Sequence, residues 1–338
     1  MEYDFVVGFD CSKSTLDFGL LDVAEQTITH GQIANQVKVI HELVEQIIKK
    51  SGCSKVRILL CAEQSGLYTN RLKLAAVEYK YQLWVQDALE LKLRSGRQKG
   101  KTDKKDAGMI ARYASRYADQ AVIYQLPNPT VLKIKKISRQ RSELMESLTQ
   151  WKIRLREEED FGLVATTEKS QRVFDRLLEE MKTSIKQLDE ELLELIKSDE
   201  QASTKYKIMQ SVPGFGPKNS VIIIAETELF TKTKSARACS SYAGVCPYKY
   251  ESGTSVRSRT RTLKPCNKRL KTAFHQGAIS LIRRENLYRA LYTRLRAKGK
   301  THLQAINAVR NKMIRVLFAC LEKGVMYEKN LHGALQVQ

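Results

Sequence analysis

The sequence predicts an α/β domain at the N-terminus, a long helical segment after it, and a mainly helical C-terminal domain. Three patterns indicate this. Short β-prone runs alternate with helical spacing at the start, apolar residues then repeat every three or four positions, and the last region places helices around a Pro-Gly turn and a basic loop. We place the boundaries at residues 1–125, 126–200 and 201–330.

The first domain begins with three β-prone runs separated by turn-like breaks, which is typical of an antiparallel meander. Helical and strand-like segments then alternate. We expect strands over residues 4–11, 15–23, 26–33, 55–62 and 81–85, and helices over residues 39–48 and 67–79. The order βββαβαβ is that of ribonuclease H-like domains, although other α/β sheets have compatible patterns.

The middle segment has two heptad-like seams, which predict two coiled-coil helices. A breaker-rich stretch at residues 161–170 separates them and would let them fold back as a hairpin. Because an exposed apolar seam needs a partner, we favour pairing with another copy of the chain over a purely internal hairpin. The first seam holds Ile137, Leu144, Leu148, Trp151 and Leu155 with Arg141 in one polar slot; the second holds Phe174, Leu178, Met181, Ile185, Leu188, Leu192 and Leu195.

The third domain opens on a turn, residues 211–217 (SVPGFGP), between two helix-forming stretches. This is a helix-hairpin-helix signature. Gly214 and Gly216 allow the backbone to approach a phosphate, and the following helix start, with Lys218, favours an anion. An ordinary Pro-Gly turn is the alternative from this motif alone. Residues 236–243 and 268–323 are predicted helical, around a basic loop at residues 248–265.

The charge predicts a polyanionic partner. The chain has 58 Lys and Arg against 37 Asp and Glu, a formal charge of +21. Residues 89–116 contribute +6 and residues 251–300 contribute +12, so the excess is concentrated rather than interspersed as in a solubilising surface. Nucleic acid is the first candidate, because neutralised phosphates release counterions, and an anionic membrane is the second.

Cysteine usage and hydropathy indicate a cytoplasmic protein. The seven cysteines are scattered without a Cys-x-x-Cys pair, which disfavours a disulfide framework or a zinc module. The acidic start and the short aliphatic runs predict neither a signal peptide nor a membrane span.

Four acidic residues are candidate metal ligands. Asp10 and Glu63 end two predicted strands, where a sheet can bring them side by side, and Asp103 and Asp106 share one face of a predicted helix start. Such oxygen ligands would hold Mg²⁺ for phosphoryl transfer. The alternative is structural: Asp103 and Asp106 are also good helix-capping acids, and strand-end carboxylates are common.

A second candidate site is the Ser/Thr/Arg run at residues 248–261. Ser252 precedes a glycine that exposes the backbone, and it is a candidate nucleophile with Ser255 as a competitor. Three alternating arginines, Arg257, Arg259 and Arg261, would bind phosphate. A solvated loop that binds the DNA backbone nonspecifically is the more common role for such a run.

Five motifs in this order resemble the DEDD-type insertion-sequence transposases, the family of Piv DNA invertases and bridge-RNA-guided recombinases. The resemblance covers residues 8–324. The motifs are residues 7–13 (VGFDCSK), 62–68 (AEQSGLY), 101–107 (KTDKKDA), 211–216 (SVPGFG) and 250–257 (YESGTSVR).

The resemblance implies a RuvC-like domain in which Asp10, Glu63, Asp103 and Asp106 bind Mg²⁺, for which Mn²⁺ can substitute. It also implies a catalytic Ser252 that attacks the scissile phosphate and holds the DNA end covalently. The freed 3′-hydroxyl later attacks a partner strand. Acids and serine from different protomers are expected to meet in a homo-oligomer, from dimer to tetramer.

The implied partners are double-stranded donor and target DNA and a non-coding bridge RNA, at a nucleoid-associated, cytoplasmic location without membrane. The invertase branch shows that similar motifs can serve another targeting mode. The expected nucleic-acid contacts include three lysines close to the acids, Lys101, Lys104 and Lys105. The others are Gly214, Gly216, Lys218, Arg257, Arg259 and Arg261. The alternative function is a metal-dependent, Holliday-junction-type endonuclease that hydrolyses DNA with water.

Overall fold

The computed structural model describes the backbone of residues 3–94, 103–252, 256–262 and 265–328, and their side chains apart from those of residues 103–104, 249–252 and 256–260. The chain divides into two compact units, Met1–Leu126 and Pro127–Gln338.

A mixed five-stranded sheet forms the first unit, with strand order β3-β2-β1-β4-β5. Neighbouring strands pair antiparallel within the β1-β2-β3 meander and parallel within β1-β4-β5. The strands are β1 (Phe5–Cys11), β2 (Thr15–Asp22), β3 (Ile28–Ala34), β4 (Ile58–Glu63) and β5 (Gln82–Gln86). The predicted mixed α/β domain, with three strands before the α/β units, is confirmed.

Helices cover both faces of this sheet because the central strands are apolar on both sides. Val7 and Phe9 pack with α1 (Val37–Ser51) and α2 (Asn70–Glu78) on one face. Val6 and Cys61 pack with α3 (Ala88–Arg94) and α4 (Asp103–Arg116) on the other.

The second unit begins with two long helices, α5 (Pro129–Phe161) and α6 (Glu168–Ser198). Trp151 contacts Phe174 with ring centroids 5.3 Å apart, and Arg141 pairs with Asp189, so the two helices run antiparallel within one chain. The internal hairpin is therefore the arrangement that this chain adopts. Pairing with another copy stays a prediction.

Six shorter helices and a two-stranded hairpin complete the second unit. The helices α7, α8, α10 and α12 share one apolar core with the start of α5 and the end of α6. The elements are α7 (Glu200–Ser211), α8 (Pro217–Thr227), α9 (Ala236–Tyr242), β6 (Pro247–Ser252), β7 (Val256–Thr262), α10 (Lys268–Ile282), α11 (Leu287–Ala297) and α12 (His302–Lys323). The prediction of a basic loop at residues 248–265 is wrong in part, because two strands pair there.

Candidate functional site

Asp10 and Glu63 lie side by side at one edge of the sheet. β1 and β4 pair in parallel with Phe9 opposite Ala62, and Asp10 and Glu63 are the next residues on each strand. Adjacent strands are about 4.8 Å apart. Since side chains alternate, both acids face the side on which α4 packs, and both remain partly exposed to solvent.

The backbone of helix α4 lies very close to strand β1 near this edge. A Cβ on Gly8 would lie 2.3 Å from the backbone nitrogen of Ala111 and 2.4 Å from the carbonyl oxygen of Ala107. Gly8 therefore lets α4 rest directly on β1, two residues before Asp10. Asp106, partly exposed, directly precedes Ala107 in this contact. The helix begins one turn earlier at Asp103, whose side chain lies outside the described residues.

A buried asparagine ties together the loops that follow the two acid-bearing strands. Asn35 is 1% exposed and donates from Nδ2 to the carbonyl oxygens of Ser12, at 2.8 Å, and Tyr68, at 2.9 Å. Ser12 follows β1, and Tyr68 lies in the loop after β4. Because these carbonyls would otherwise be hard to satisfy, Asn35 fixes the two strand ends with respect to each other.

Sequence reasoning missed one acid at this edge. Asp17 on β2 is directly opposite Asp10, so the two carboxylates project from the same face. Asp17 accepts hydrogen bonds from Gln32 Nε2 at 3.1 and 3.2 Å. The tight turn between the first two strands was the available signal, since an antiparallel hairpin of this length places residues 10 and 17 opposite each other.

The donor set suits a hard divalent cation. Asp10 and Glu63 are carboxylates on one face of the sheet, Asp106 is on the helix that packs against that face, and each is partly exposed. Among the side chains that the structure describes, no three Asp, Glu, His or Cys groups are close enough to hold a metal ion. The set with Asp103 included offers oxygen ligands only, which is the preference of Mg²⁺.

Cys11, next to Asp10, does not supply a nucleophile at neutral pH. Burial raises the pKa of its thiol to about 12, and the charge of Asp10 acts in the same direction. The thiol is therefore protonated at neutral pH, and a thiolate is the reactive form of cysteine.

Ser252 is the last residue of β6, in the second unit, and faces Val256 across the hairpin. Its side chain, those of Arg257 and Arg259, and all of Ser255 lie outside the described residues. Arg257 is opposite Glu251, and the exposed Arg261 is opposite Tyr248. The Tyr248 hydroxyl donates to Oγ of Ser241 at 2.6 Å, which anchors the base of the hairpin on α9.

Helix α10 packs against the turn between α7 and α8. Gly214 has φ +93°, a conformation that favours glycine, and a Cβ on Gly277 of α10 would lie 2.5 Å from its carbonyl oxygen. Gly216 is the N-cap of α8 and faces open space. Lys218 is exposed, with Nζ 3.9 Å from Asp189.

Of the three predicted lysine contacts near the acids, only one has a described side chain. Lys105 is exposed on α4. Lys101 and the side chain of Lys104 lie outside the described residues.

Comparison with protein-family models identifies the class of protein to which this chain belongs. One family model, described as a transposase, matches residues 7–158, and a second, described as a transposase of the IS116/IS110/IS902 family, matches residues 206–293. The chain belongs to the IS110 family of transposases. The first match contains all four predicted acids of this transposase, and the second contains the hairpin with Ser252.

The transposase is also similar along its length to two characterised relatives. The pilin gene-inverting proteins of Moraxella bovis and Moraxella lacunata are 23% and 24% identical to it, each over 96% of this chain and 98% of the relative. An uncharacterised protein of the insertion element IS110 in Streptomyces coelicolor is 31% identical over 38% of this chain and 32% of its own length. Membership of this family indicates an enzyme of DNA recombination.

In the part of the chain that the structure describes, no helix is long and apolar enough to cross a bilayer.

Proposed function

We propose that this transposase cuts and rejoins DNA by transient attachment of the DNA to Ser252. The main observation in support of this proposal is that Asp10 and Glu63 lie on neighbouring parallel strands and face the helix that bears Asp106. Together with Asp103 they would hold Mg²⁺, with Mn²⁺ as a substitute. The bound cation supplies positive charge to the phosphate undergoing transfer.

In the first step the Ser252 hydroxyl oxygen attacks the scissile phosphorus. A bond forms between Oγ and phosphorus, the bond to the 3′ oxygen breaks, and the hydroxyl proton passes to a base. The products are a phosphoserine diester and a free 3′-hydroxyl. In the second step a 3′-hydroxyl of the partner strand attacks the same phosphorus and releases the serine hydroxyl, so that one phosphodiester replaces another without an external energy source.

The residues around Ser252 support a role in phosphate binding. Arg257, Arg259 and Arg261 alternate along β7, paired with the strand that carries the serine. Guanidinium groups bind phosphate oxygens in bidentate fashion and stabilise the added negative charge of the transition state.

The α7–α8 turn is proposed as a second DNA contact of the helix-hairpin-helix type. Gly214 adopts the left-handed backbone conformation that the turn requires, and Gly216, with open space around it, is the N-cap of α8. Lys218 adds positive charge in the first turn of this helix. The proposed partners are donor and target DNA, a guiding bridge RNA, and further copies of the chain, and the formal charge of +21 supports polyanionic partners.

The decisive experiment is capture of the covalent intermediate. The purified protein, Mg²⁺ and radiolabelled element-end DNA are mixed, quenched in denaturant and digested to peptides. We expect label on the peptide containing Ser252 and loss of label in Ser252→Ala, with Ser258→Ala on β7 as the control that retains it.

Two other outcomes are informative. Label that disappears in Ser255→Ala, with Ser252→Ala still labelled, would move the nucleophile to Ser255. Nicked DNA without covalent label, together with an active Ser252→Ala, would replace the recombinase by a nuclease that uses water. Bridge RNA is tested separately, by sequencing the RNA that copurifies with the protein from cells carrying the whole element.

A further inference from the structure

The second unit contains a buried arginine without a carboxylate partner. Arg310 on α12 is 7% exposed, and its Nε is buried without a hydrogen-bond acceptor. Within the described residues it forms no ion pair. Two partly buried arginines of this unit do have carboxylate partners: Arg269 pairs with Glu226 at 2.5 Å, and Arg141 pairs with Asp189 at 2.6 Å. Burying an unpaired cation is costly, so Arg310 needs a reason to be kept.

The one hydrogen bond of Arg310 in the described structure is to a histidine on α10. The guanidinium donates to Nδ1 of His275 at 3.0 Å. A donor at this distance requires Nδ1 to be unprotonated, so the proton of neutral His275 resides on Nε2. Burial lowers the pKa of His275, and the charges of Arg310 and His302 lower it further. His275 is partly exposed and therefore presents an N–H donor beside the buried cation.

The segment that holds α10, α11 and α12 contains few acidic residues that could supply the missing negative charge. Residues 265–328 contain fourteen Lys and Arg against three Glu. One of these, Glu285, pairs with Arg289 at 3.1 Å. On the adjoining part of α12, burial lowers the pKa of Lys312, and Arg294 and Arg315 lower it further, which reflects repulsion among cations.

We propose that Arg310 and His275 form a binding site, between α10 and α12, for one phosphate of a DNA backbone. The guanidinium supplies the charge and paired donors, and Nε2–H of His275 supplies a neutral donor. The choice of DNA as the source of the phosphate rests on the proposed function. The site is separate in sequence from the Ser252 hairpin and from the α7–α8 turn.

The first test separates anion binding from a structural role. In phosphate-free buffer, Arg310→Met should unfold at the same temperature as wild type or higher, because it removes an unpaired buried charge. Inorganic phosphate should raise the wild-type unfolding temperature above a chloride control of equal ionic strength, and this gain should vanish in Arg310→Met. Lower stability of Arg310→Met without phosphate, or a persisting gain, would overturn the proposal.

A second variant tests whether a general packing defect, rather than loss of the anion site, explains the result with Arg310→Met. His275 is partly exposed, so His275→Ala should fold normally and show a smaller phosphate-dependent gain than wild type. An undiminished gain in His275→Ala would also contradict the site.

The second test identifies the source of the phosphate. In a Ser252→Ala background, which is not expected to cleave, Arg310→Met should bind duplex DNA about tenfold more weakly. The slope of log affinity against log salt should fall by about 0.9, the loss of one phosphate contact. The matched control Arg289→Met, at an exposed position paired with Glu285, should change both values much less.

The proposed phosphate site and the proposed Ser252 chemistry can each be contradicted without the other. Loss of the phosphate gain with unchanged DNA binding, or weaker binding only of a single-stranded RNA of equal length, would overturn the assignment to DNA. Neither measurement depends on strand cleavage. An active phosphate site in a protein that never forms a covalent DNA adduct would therefore contradict the proposed chemistry while leaving this site intact.

Discussion

Gly8 on β1 lies directly against the backbone of Ala111 on α4, with 2.3 Å between the position of an added Cβ and the Ala111 nitrogen. This contact sets the height of α4 above the sheet, and with it the positions of Asp103 and Asp106 relative to Asp10. The close approach of helix and strand is thus a condition for the proposed acid cluster.

Gly8→Ala is therefore expected to destabilise the first unit by about 1–3 kcal/mol, because the obstructing atoms belong to the backbone and cannot rotate away. Chemical denaturation measures this cost. Gly216→Ala, at a glycine with open space around it, is the control and should cost no more than about 1 kcal/mol, the preference for glycine over alanine at a helix N-cap. Equal stability of Gly8→Ala and wild type would contradict the packing described.

Asp10→Asn, Glu63→Gln and Asp106→Asn should each lower DNA cleavage about 100-fold or more, because each removes the charge of a proposed Mg²⁺ ligand while preserving its shape. Cleavage rates and DNA affinity are measured in parallel, and affinity should be retained. Asp22→Asn is a matched control at the opposite end of β2, where the Oδ1 that accepts from Ala24 and Glu25 is preserved. Wild-type cleavage by Asp10→Asn would exclude the acid cluster from the reaction.

Asn35→Leu should raise the Mg²⁺ concentration needed for half-maximal cleavage several-fold without weakening DNA binding. The reason is that two loop carbonyls lose their shared donor and the strand ends carrying Asp10 and Glu63 are no longer fixed together. A cleavage titration with Mg²⁺ measures the effect. Ser51→Ala, which removes a hydrogen bond at the far end of α1, should leave the titration unchanged.

Arg141→Leu should destabilise the α5–α6 hairpin by about 2 kcal/mol, since it leaves Asp189 without its bidentate partner in a mostly buried position. The double variant Arg141→Leu/Asp189→Leu should recover that loss, because an apolar pair suits the seam. Thermal unfolding of the single and double variants gives the coupling energy. A double variant less stable than Arg141→Leu would contradict the pairwise origin of the effect.

Glu228 should contribute stability at neutral pH and none in acid. Its burial opposes ionisation, but hydrogen bonds from Lys135, at 2.6 Å, and Lys232 outweigh this and lower the pKa of Glu228. A carboxyl group with a lowered folded-state pKa stabilises the fold above its unfolded pKa and loses that effect as pH falls through the folded value.

The difference in unfolding free energy between wild type and Glu228→Gln should therefore be present at pH 7, begin to shrink below the ordinary pKa of 4.5, and vanish in stronger acid. Denaturation at a series of pH values measures it. Glu285→Gln, an exposed i,i+4 partner of Arg289, serves as the control and should show a small difference throughout. A difference that grows as pH falls would have the wrong sign.

Much of the fold was predictable because its helices and strands follow from local sequence patterns. The strands of the first unit begin and end within a few residues of their predicted bounds, and two long helices form where two were predicted, with Trp151 of α5 against Phe174 of α6. The hairpin at β6 and β7 was missed as regular structure. Its Ser, Thr and Arg residues carry little apolar alternation, which is the main sequence signal for a strand.

The sequence by itself determined the chemical groups: the four acids, Ser252, the basic segments and the motif order that indicated the transposase family. The tertiary structure decided which of them meet. Asp17 reaches Asp10 only through the strand register, Asn35 joins two loops that are far apart in the chain, and Arg310 differs from other basic residues only because packing buries it without a carboxylate. The contacts of Asn35 and Arg310 are long-range in the sequence, and short-range periodicity does not encode them.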